Sequence, residues 1–395
     1  MELLPKILKV NIKRKIQLSA LIWFAFTTIA LFAELFRGTI NNYLIFKNVF
    51  WHTLEQKNLY ALYPKEYFDI NHYGPVFSLF ILPFAVLPDW LGVILWGITN
   101  AGVLFYAINQ LPLSASQKNL ILLISSVELM TSIHNVQFNP MLTGWVILSF
   151  ILVNRDKTFF AAFFIIAGFL IKLYGIAGIV FFVFSKNKSR FGAYLIFWLI
   201  ILFCLPMAIS SPSFIIHSYT YWISALVEKN SQNIQLSNYG IDISVMGLIR
   251  RIFNIHNLPS LLVIIPGAIA MGTPLLRFKM YENLRFRIYY LCLALISVVI
   301  FSSSAESPTY IIAMVGVGIW YSINTDKKSL PQGIILLFAI LVTSLSATDL
   351  FPLYIKTHLI KPFSLKVLPC FIIWIILVIR SFSENEESFT KLKYA

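Results

Sequence analysis

Residues 17–36 read QLSALIWFAFTTIALFAELF, with no charge before Glu34. At a helical rise of about 1.5 Å per residue, some twenty such residues cross the roughly 30 Å hydrocarbon core of a bilayer. The run is apolar on every side, whereas a barrel strand alternates apolar and polar residues over about ten positions. It therefore reads as a membrane-crossing helix, whose backbone polar groups are satisfied within the segment. A basic start with Lys6, Lys9, Lys13, Arg14 and Lys15 precedes it, as in a signal peptide. The apolar stretch is longer than a signal core and lacks a small-x-small cleavage site, so it is read as an uncleaved first span.

Outward from this run the same pattern recurs. Strongly apolar segments fall at 75–88, 89–109, 118–131, 138–153, 159–172, 174–185, 191–209, 258–276, 285–302, 308–323, 332–350 and 364–381. Several are short enough to be half-helices, which predicts an all-α, polytopic transmembrane bundle of about ten to thirteen spans. Composition agrees. Of 395 residues, 58% are apolar and 12% charged, and mean hydropathy is +0.78, while a soluble domain carries about 25% charged residues. The net charge of +14 would suggest nucleic acid in a soluble protein. Here the excess lies in short loops, where it orients helices. Cys204, Cys292 and Cys370 each sit inside an apolar run, so no disulfide or zinc framework is expected.

Basic clusters at 6–15, Arg155/Lys157, 186–190, 277–287, Lys327/Lys328 and after Arg380 are cytoplasmic by the positive-inside rule. Both termini are then inside the cell, in a multi-pass protein of the cytoplasmic membrane. Residues 159–184 begin and end at such clusters and must double back, with the turn at Lys172-Leu-Tyr-Gly175 facing outward. Two stretches are too polar to span and too long for simple turns. In 37–73, Tyr43, Phe46, Val49, Phe50 and Leu54 follow a helical period, which predicts an amphipathic helix at the outer interface. The second, 210–251, carries Tyr219, Tyr221, Trp222, Glu228, Asn238, Asp242, Arg250 and Arg251. No repeat or linker divides the chain, so 1–395 is taken as one domain.

No Walker A loop, dinucleotide fingerprint, Cys-x-x-Cys, H-E-x-x-H or Asp-x-Asp pair occurs, and the last absence argues against a metal-bound nucleotide sugar, a donor that usually needs paired carboxylates on a divalent cation. The most informative stretch is YALYPKEYFDINHYGPVFSLFILPFAVLP (60–88), where Tyr60, Tyr63, Tyr67, Phe68 and Tyr73 gather beside Glu66, Asp69 and His72. It reads either as an aromatic belt with solvated charges or as a sugar-binding shelf with a carboxylate as base.

The succession NNYLIFKNVFWHTLEQKNLY (41–60), HYGPVFSLFILPFAVLP (72–88), LGVILWGITNAGVL (91–104), HNVQFNPMLTGWVIL (134–148) and AGFLIKLYGIAGIVFF (167–182) resembles glycosyltransferase family 87. SNYGIDISVMGLIRRIF (237–253) and SSSAESPTYIIAM (302–314) are weaker echoes. The resemblance implies a C-type membrane glycosyltransferase fold and an inverting transfer at the outer leaflet. The sugar, mannose in the family's commoner members, would pass from a polyprenyl phosphate to a glycan or glycolipid acceptor of the cell envelope. The family's early Asp, its expected base, is matched here by Asn42. An amide is a poor proton acceptor near neutral pH, so the base is sought elsewhere: Asp69 first, in the same loop, then Glu34 and Glu306. The family's Lys at the end of a span is matched by Lys172, expected to hold the carrier phosphate. Arg250 and Arg251 either share that phosphate through their bidentate forks or face lipid headgroups. Tyr60, Tyr73, His72, His134 and Gln137 would orient sugars. His134 reads also as a structural histidine, Glu306 as a helix cap and Lys172 as a snorkelling side chain. Cations alone can stabilise a leaving phosphate, so no cofactor is required, although a divalent metal is compatible. Two other classes fit the composition: a transporter or flippase of a lipid-linked or polar solute, and an inactive relative acting as a scaffold. The first would carry inverted repeats and mid-span polar residues, and neither is visible.

Overall fold

The computed structural model describes residues 3–235, 241–255, 257–324 and 330–383, with side chains from residue 18 onward. Asn238, Lys327, Lys328 and the side chains of the basic start lie outside the described residues. Within them the chain is entirely helical. The N-terminal half comprises α1 (Leu3–Arg37), α2 (Asn41–Glu55), α3 (Phe77–Ala85), α4 (Asp89–Gln110), α5 (Ala115–His134), α6 (Asn139–Asn154) and α7 (Thr158–Ile171). After a tight 3-10 segment, Leu173–Phe184, come α8 (Lys188–Cys204), α9 (Pro212–Asn233), α10 (Val245–Phe253), α11 (Leu261–Gly272) and α12 (Leu284–Ile300). The chain continues through α13 (Tyr310–Ser322), α14 (Leu330–Phe338), a single turn α15 (Leu353–Ile355) and α16 (Leu368–Ser383).

Five helical stretches among the described residues are long and apolar enough to cross a membrane: Leu18–Arg37, Asp89–Gln110, Lys188–Ala208, Leu330–Ala347 and Leu365–Ser383. Asn139–Asn154, Thr158–Ile171, Leu173–Phe184 and Leu261–Leu276 are shorter apolar helices. The middle of the molecule is α12 and α13, packed on each other and on α5 and α16. Every α13 residue except Tyr321 is buried. Gly316 allows this closeness, since a Cβ there would come within 3.2 Å of the Cys292 carbonyl; small residues let buried helices approach in the absence of a hydrophobic drive from lipid. The periphery is the reverse. Ile196 and Ile200 on α8 and Leu262 and Ile269 on α11 are all at least 58% exposed, and an apolar rim of this extent needs hydrocarbon around it. The chain is a multi-pass helical membrane protein.

The doubling back of residues 159–184 is visible in the backbone. Lys172 takes an extended conformation, φ −147° and ψ 121°, and Leu173–Phe184 packs back along α7. Gly175 meets Gly168 so closely that a Cβ on it would lie 2.1 Å from the Gly168 carbonyl carbon. The turn carries the loop before α3 with it: Gly74 N–H donates to the Ile171 carbonyl at 3.0 Å, and a Cβ at Gly74 would sit 1.9 Å from Leu170 O. The helical period of 41–55 is present as α2, but its aromatic side faces protein. Tyr43, Phe46, Val49 and Phe50 are buried and Leu54 is not. Phe46 meets Tyr73, Phe77 and Trp96 at ring separations of 4.7, 5.3 and 6.0 Å. The moment that suggested a lipid interface is satisfied instead by the loop and α3–α4.

The two ends of the bundle differ. At one, Arg285 and Arg380 both donate to Asn324 Oδ1, at 3.0 and 2.8 Å, and Arg287 donates to Asn154 Oδ1 at 2.8 Å. The loop 301–309 lies about 25 Å away, at the far end of the 17-residue α12, and α7 delivers Lys172 to that same end.

Candidate active site

At the end away from the arginines, the loop before α3, the Lys172 turn, α9 and the loop 301–309 enclose a cavity of about 1270 Å³. Its polar end is lined by Asn42, Asp69, His72, Tyr73, Gln137, Lys172 and Glu306. Below them it runs on as an apolar groove between the hairpin, α9 and α11, past Ile179, Val180, Ile223, Val227, Ile264 and Val298.

Lys172 is held by three groups. Its Nζ donates to Asn139 Oδ1 at 2.8 Å and stands 5.5 and 5.2 Å from the ring centres of Tyr73 and Tyr174, an arrangement in which ring quadrupoles attract a cation. Asn139 is oriented in turn by donating to the Pro308 carbonyl at 3.0 Å. Tyr73 donates to Gln137 Oε1 at 3.2 Å, and Tyr174 OH and Ser302 Oγ are 2.9 Å apart. Burial in the cavity wall raises the Glu306 carboxyl above the ordinary carboxylate range, an effect the Lys172 charge opposes. The Glu306 backbone N–H donates to Thr309 Oγ1 at 3.3 Å, so local helix-start geometry and a carboxylate in the cavity wall coexist at this residue.

Asp69 stands at the mouth, its side chain 60% exposed and 3.8 Å from Lys229 Nζ. Its backbone is left-handed, φ 74°, a region that Asp tolerates better than most residues; its Oδ1 accepts the following N–H at 2.8 Å. Asn42 donates to the Asn135 carbonyl at 2.8 Å. Burial pushes His72 down to about 4, and both of its ring nitrogens are buried without a hydrogen-bond partner among the described residues.

Five of the sequence-selected residues stand apart from the cavity. Glu34 accepts from Thr39 and is 2.8 Å from His134 Nδ1, so the two pair with each other and clamp the end of α1 to that of α5. Tyr60 is buried and donates to the Tyr73 carbonyl at 3.0 Å, supporting the shelf from behind. Arg250 is buried against Asp242 at 2.7 Å and also donates to Leu258 O and Ser260 Oγ. Arg251 donates to Ile241 O at 2.9 Å and to Ser364 Oγ. Both arginines brace the 241–260 segment, and neither lines the cavity.

Sequence reasoning passed over Lys229, Asn230 and Asn233. All three line the cavity; Asn230 accepts from Ser303 Oγ, and Asn233 donates to Ser304 Oγ at 3.2 Å. Trp222, Leu226, Lys229 and Asn233 recur at helical spacing on one side of α9, a signal that gains meaning only once the 301–309 loop packs there. Among the described residues no three His, Cys, Asp or Glu side chains converge as a metal site.

No curated protein matches the chain. A family model, glycosyltransferase family 87, matches residues 71–303, more than half of the chain. That span holds His72, Tyr73, the Lys172 hairpin and α9; Asn42 and Asp69 precede it and Glu306 follows it. The protein belongs to glycosyltransferase family 87.

Proposed function

We propose that this protein transfers a hexose, mannose by analogy with the family's commoner members, from a polyprenyl phosphate to a hydroxyl of a cell-envelope glycan or glycolipid, with inversion. The observation that carries the reading is the union, in one cavity, of a fixed cation, two carboxylates and an apolar groove. The groove accepts the lipid tail; Lys172, prepositioned by Asn139, Tyr73 and Tyr174, faces the phosphate. The acceptor oxygen attacks the anomeric carbon, and the carbon–oxygen bond to phosphate breaks with its electron pair leaving on the phosphate. Lys172 stabilises the charge that grows there. The acceptor proton passes to a carboxylate, for which Asp69 is the better placed. It stands at the open mouth, where an acceptor enters, whereas Glu306 is within the field of Lys172 and serves to keep that ammonium charged. Asn42, Tyr73, His72 and Gln137 contact the sugar. No step calls for a metal, and the mechanism accommodates one.

With the arginine-bearing end facing the cytoplasm, the cavity opens at the outer face of the cytoplasmic membrane, and the half-length hairpin and buried helices fit a C-type bundle of more than five crossings. The test is sugar transfer from a panel of radiolabelled polyprenyl-phosphate sugars by purified protein in lipid. Lys172→Ala is expected to lower kcat/KM by on the order of 10²–10³, and Asp69→Asn by on the order of 10²–10⁴, with folding intact. Full activity in Asp69→Asn but loss in Glu306→Gln would move the base to Glu306. Absence of transfer from every donor, with donor flipping in sealed vesicles, would replace the transferase by a transporter.

A further inference from the structure

A second, smaller pocket lies behind the wall of the large one. The dividing wall is the loop ending in Ala305, Glu306 and Ser307, stitched in place by Ile243 N–H to the Ala305 carbonyl at 2.9 Å and by Tyr310 OH to the Ile243 carbonyl at 2.7 Å. Glu306 lines the large cavity and Ser307, its neighbour, lines the small one. The small pocket holds about 260 Å³, close to the share of eight or nine waters at roughly 30 Å³ each. That is room for a phosphate or diphosphate and too little for a glycolipid.

Its lining is cationic. Lys356, Lys361 and Lys366 line it beside Ser307, Ser346 and Ser364, and no carboxylate does; the Ser346 and Ser364 hydroxyls already donate to Val342 O and Asp242 O. Two of the lysines are fixed. Lys366, 3% exposed, is backed by Glu128 at 2.9 Å and lies 4.9 Å from the Tyr310 ring centre. Lys356 donates to the Thr348 carbonyl at 3.1 Å and has Asp349 at 3.9 Å, a carboxylate that points fully into solvent. Lys361 is exposed, with no carboxylate within ion-pair distance among the described residues. Ser364 is held by Arg251, so the network that removes Arg251 from the large cavity shapes this one. The charge is also on the less expected side. The loop 348–364 is at the bundle end opposite Arg285 and Arg380, where the positive-inside bias places fewer positive residues.

We propose that this pocket binds a phosphate group, separate from the sugar donor and presented either by an anionic lipid headgroup or by a soluble phosphate ester. The ammonium groups match the charge and the acceptor oxygens of such a group, and Lys361, the exposed one, is the residue that a ligand reaches first. The site stands on its own geometry and does not depend on the transferase reading.

The experiment uses the full chain in a Lys172→Ala background, which silences the large cavity. In detergent, inorganic pyrophosphate is titrated against thermal unfolding; in parallel, phosphatidylglycerol retained from mixed phosphatidylcholine–phosphatidylglycerol vesicles is quantified by mass spectrometry. Each is repeated with Lys361→Ala and Lys356→Gln. A pyrophosphate response whose midpoint rises on the order of ten-fold in either variant supports the site with a soluble phosphate ester as ligand. No pyrophosphate response, with phosphatidylglycerol retention lost in the variants, supports it with a lipid headgroup. Pyrophosphate and lipid behaviour both unchanged by the two substitutions would overturn it.

Discussion

His72 is a polar side chain whose two ring nitrogens are buried in the wall of the cavity without a partner among the described residues. A cost of this kind is commonly about 1–3 kcal/mol for an unpaired buried group, and the sugar contact proposed for His72 would offset it. It also sets a pH dependence. The folded group titrates near 4 and an unfolded one near 6.5. Above 6.5 both states are neutral and His72 contributes nothing. Between 6.5 and 4 the unfolded chain takes up a proton that the folded one refuses, so stability falls as pH falls, by at most about 3 kcal/mol. Thermal inactivation half-lives in detergent at pH 7.5 and pH 5 are expected to diverge in the wild type and to converge in His72→Gln; equal divergence in both would assign the acid lability elsewhere. Glu306 predicts a second profile. Its carboxyl is raised by burial, so the acidic limb of kcat/KM lies above the ordinary carboxylate range and moves to lower pH in Glu306→Gln. Asp69, His72 and Lys172, which line the cavity, stand out in the sequence because each breaks an otherwise apolar or aromatic pattern, and Tyr73 because it belongs to the aromatic cluster itself. Arg250 and Glu34 break it equally yet lie outside the cavity, since sequence does not show that Asp242 and His134 lie within 2.8 Å to pair with them.

At the scale of elements, the Lys172 hairpin is the part that sequence and structure describe most alike. Charge at both ends of residues 159–184 demanded a reversal, and the Gly175 in Lys-Leu-Tyr-Gly supplies the close approach that a reversal needs. Gly175→Ala places a methyl group 2.1 Å from the Gly168 carbonyl carbon, and because the atoms it meets are backbone, α7 and the 3-10 segment must separate. The expected cost is about 1–3 kcal/mol, with Lys172 displaced from Asn139. Activity should fall by more than the loss of folded protein, as read by comparing kcat on active protein with yield after size-exclusion chromatography; equal losses would show that the turn supports folding alone. The α2 helix was legible in its period and not in its partner, since a helical moment reports that one side avoids water without saying whether lipid or protein covers it. The α9 stripe was overlooked for the converse reason. Lys229, Asn230 and Asn233 look like ordinary solvated polar residues until the 301–309 loop is folded against them.

For the whole molecule, the decisive property is polarity along the membrane normal. One end gathers Arg285, Arg287 and Arg380 onto Asn324 and Asn154; the other carries the cavity mouth with Asp69 and Lys229. Moving the arginine end across the bilayer during insertion opposes the positive-inside bias, so the proposed orientation turns the mouth away from the cytoplasm, and labelling tests it. Two exposed positions report the two ends: Phe68, 76% exposed beside the mouth, and Phe278, 67% exposed before α12. In a background with Cys204 replaced by Ser, since Cys292 and Cys370 are buried, single cysteines at these positions are treated with a membrane-impermeant maleimide on intact cells. Phe68→Cys is expected to label before permeabilisation and Phe278→Cys only after it. The reverse pattern would place the cavity in the cytoplasm. A cytoplasmic mouth admits soluble nucleotide sugars, for which the sequence has no Asp-x-Asp pair, so the reversed outcome would overturn the proposed orientation and with it the outer-leaflet lipid-phosphate donor.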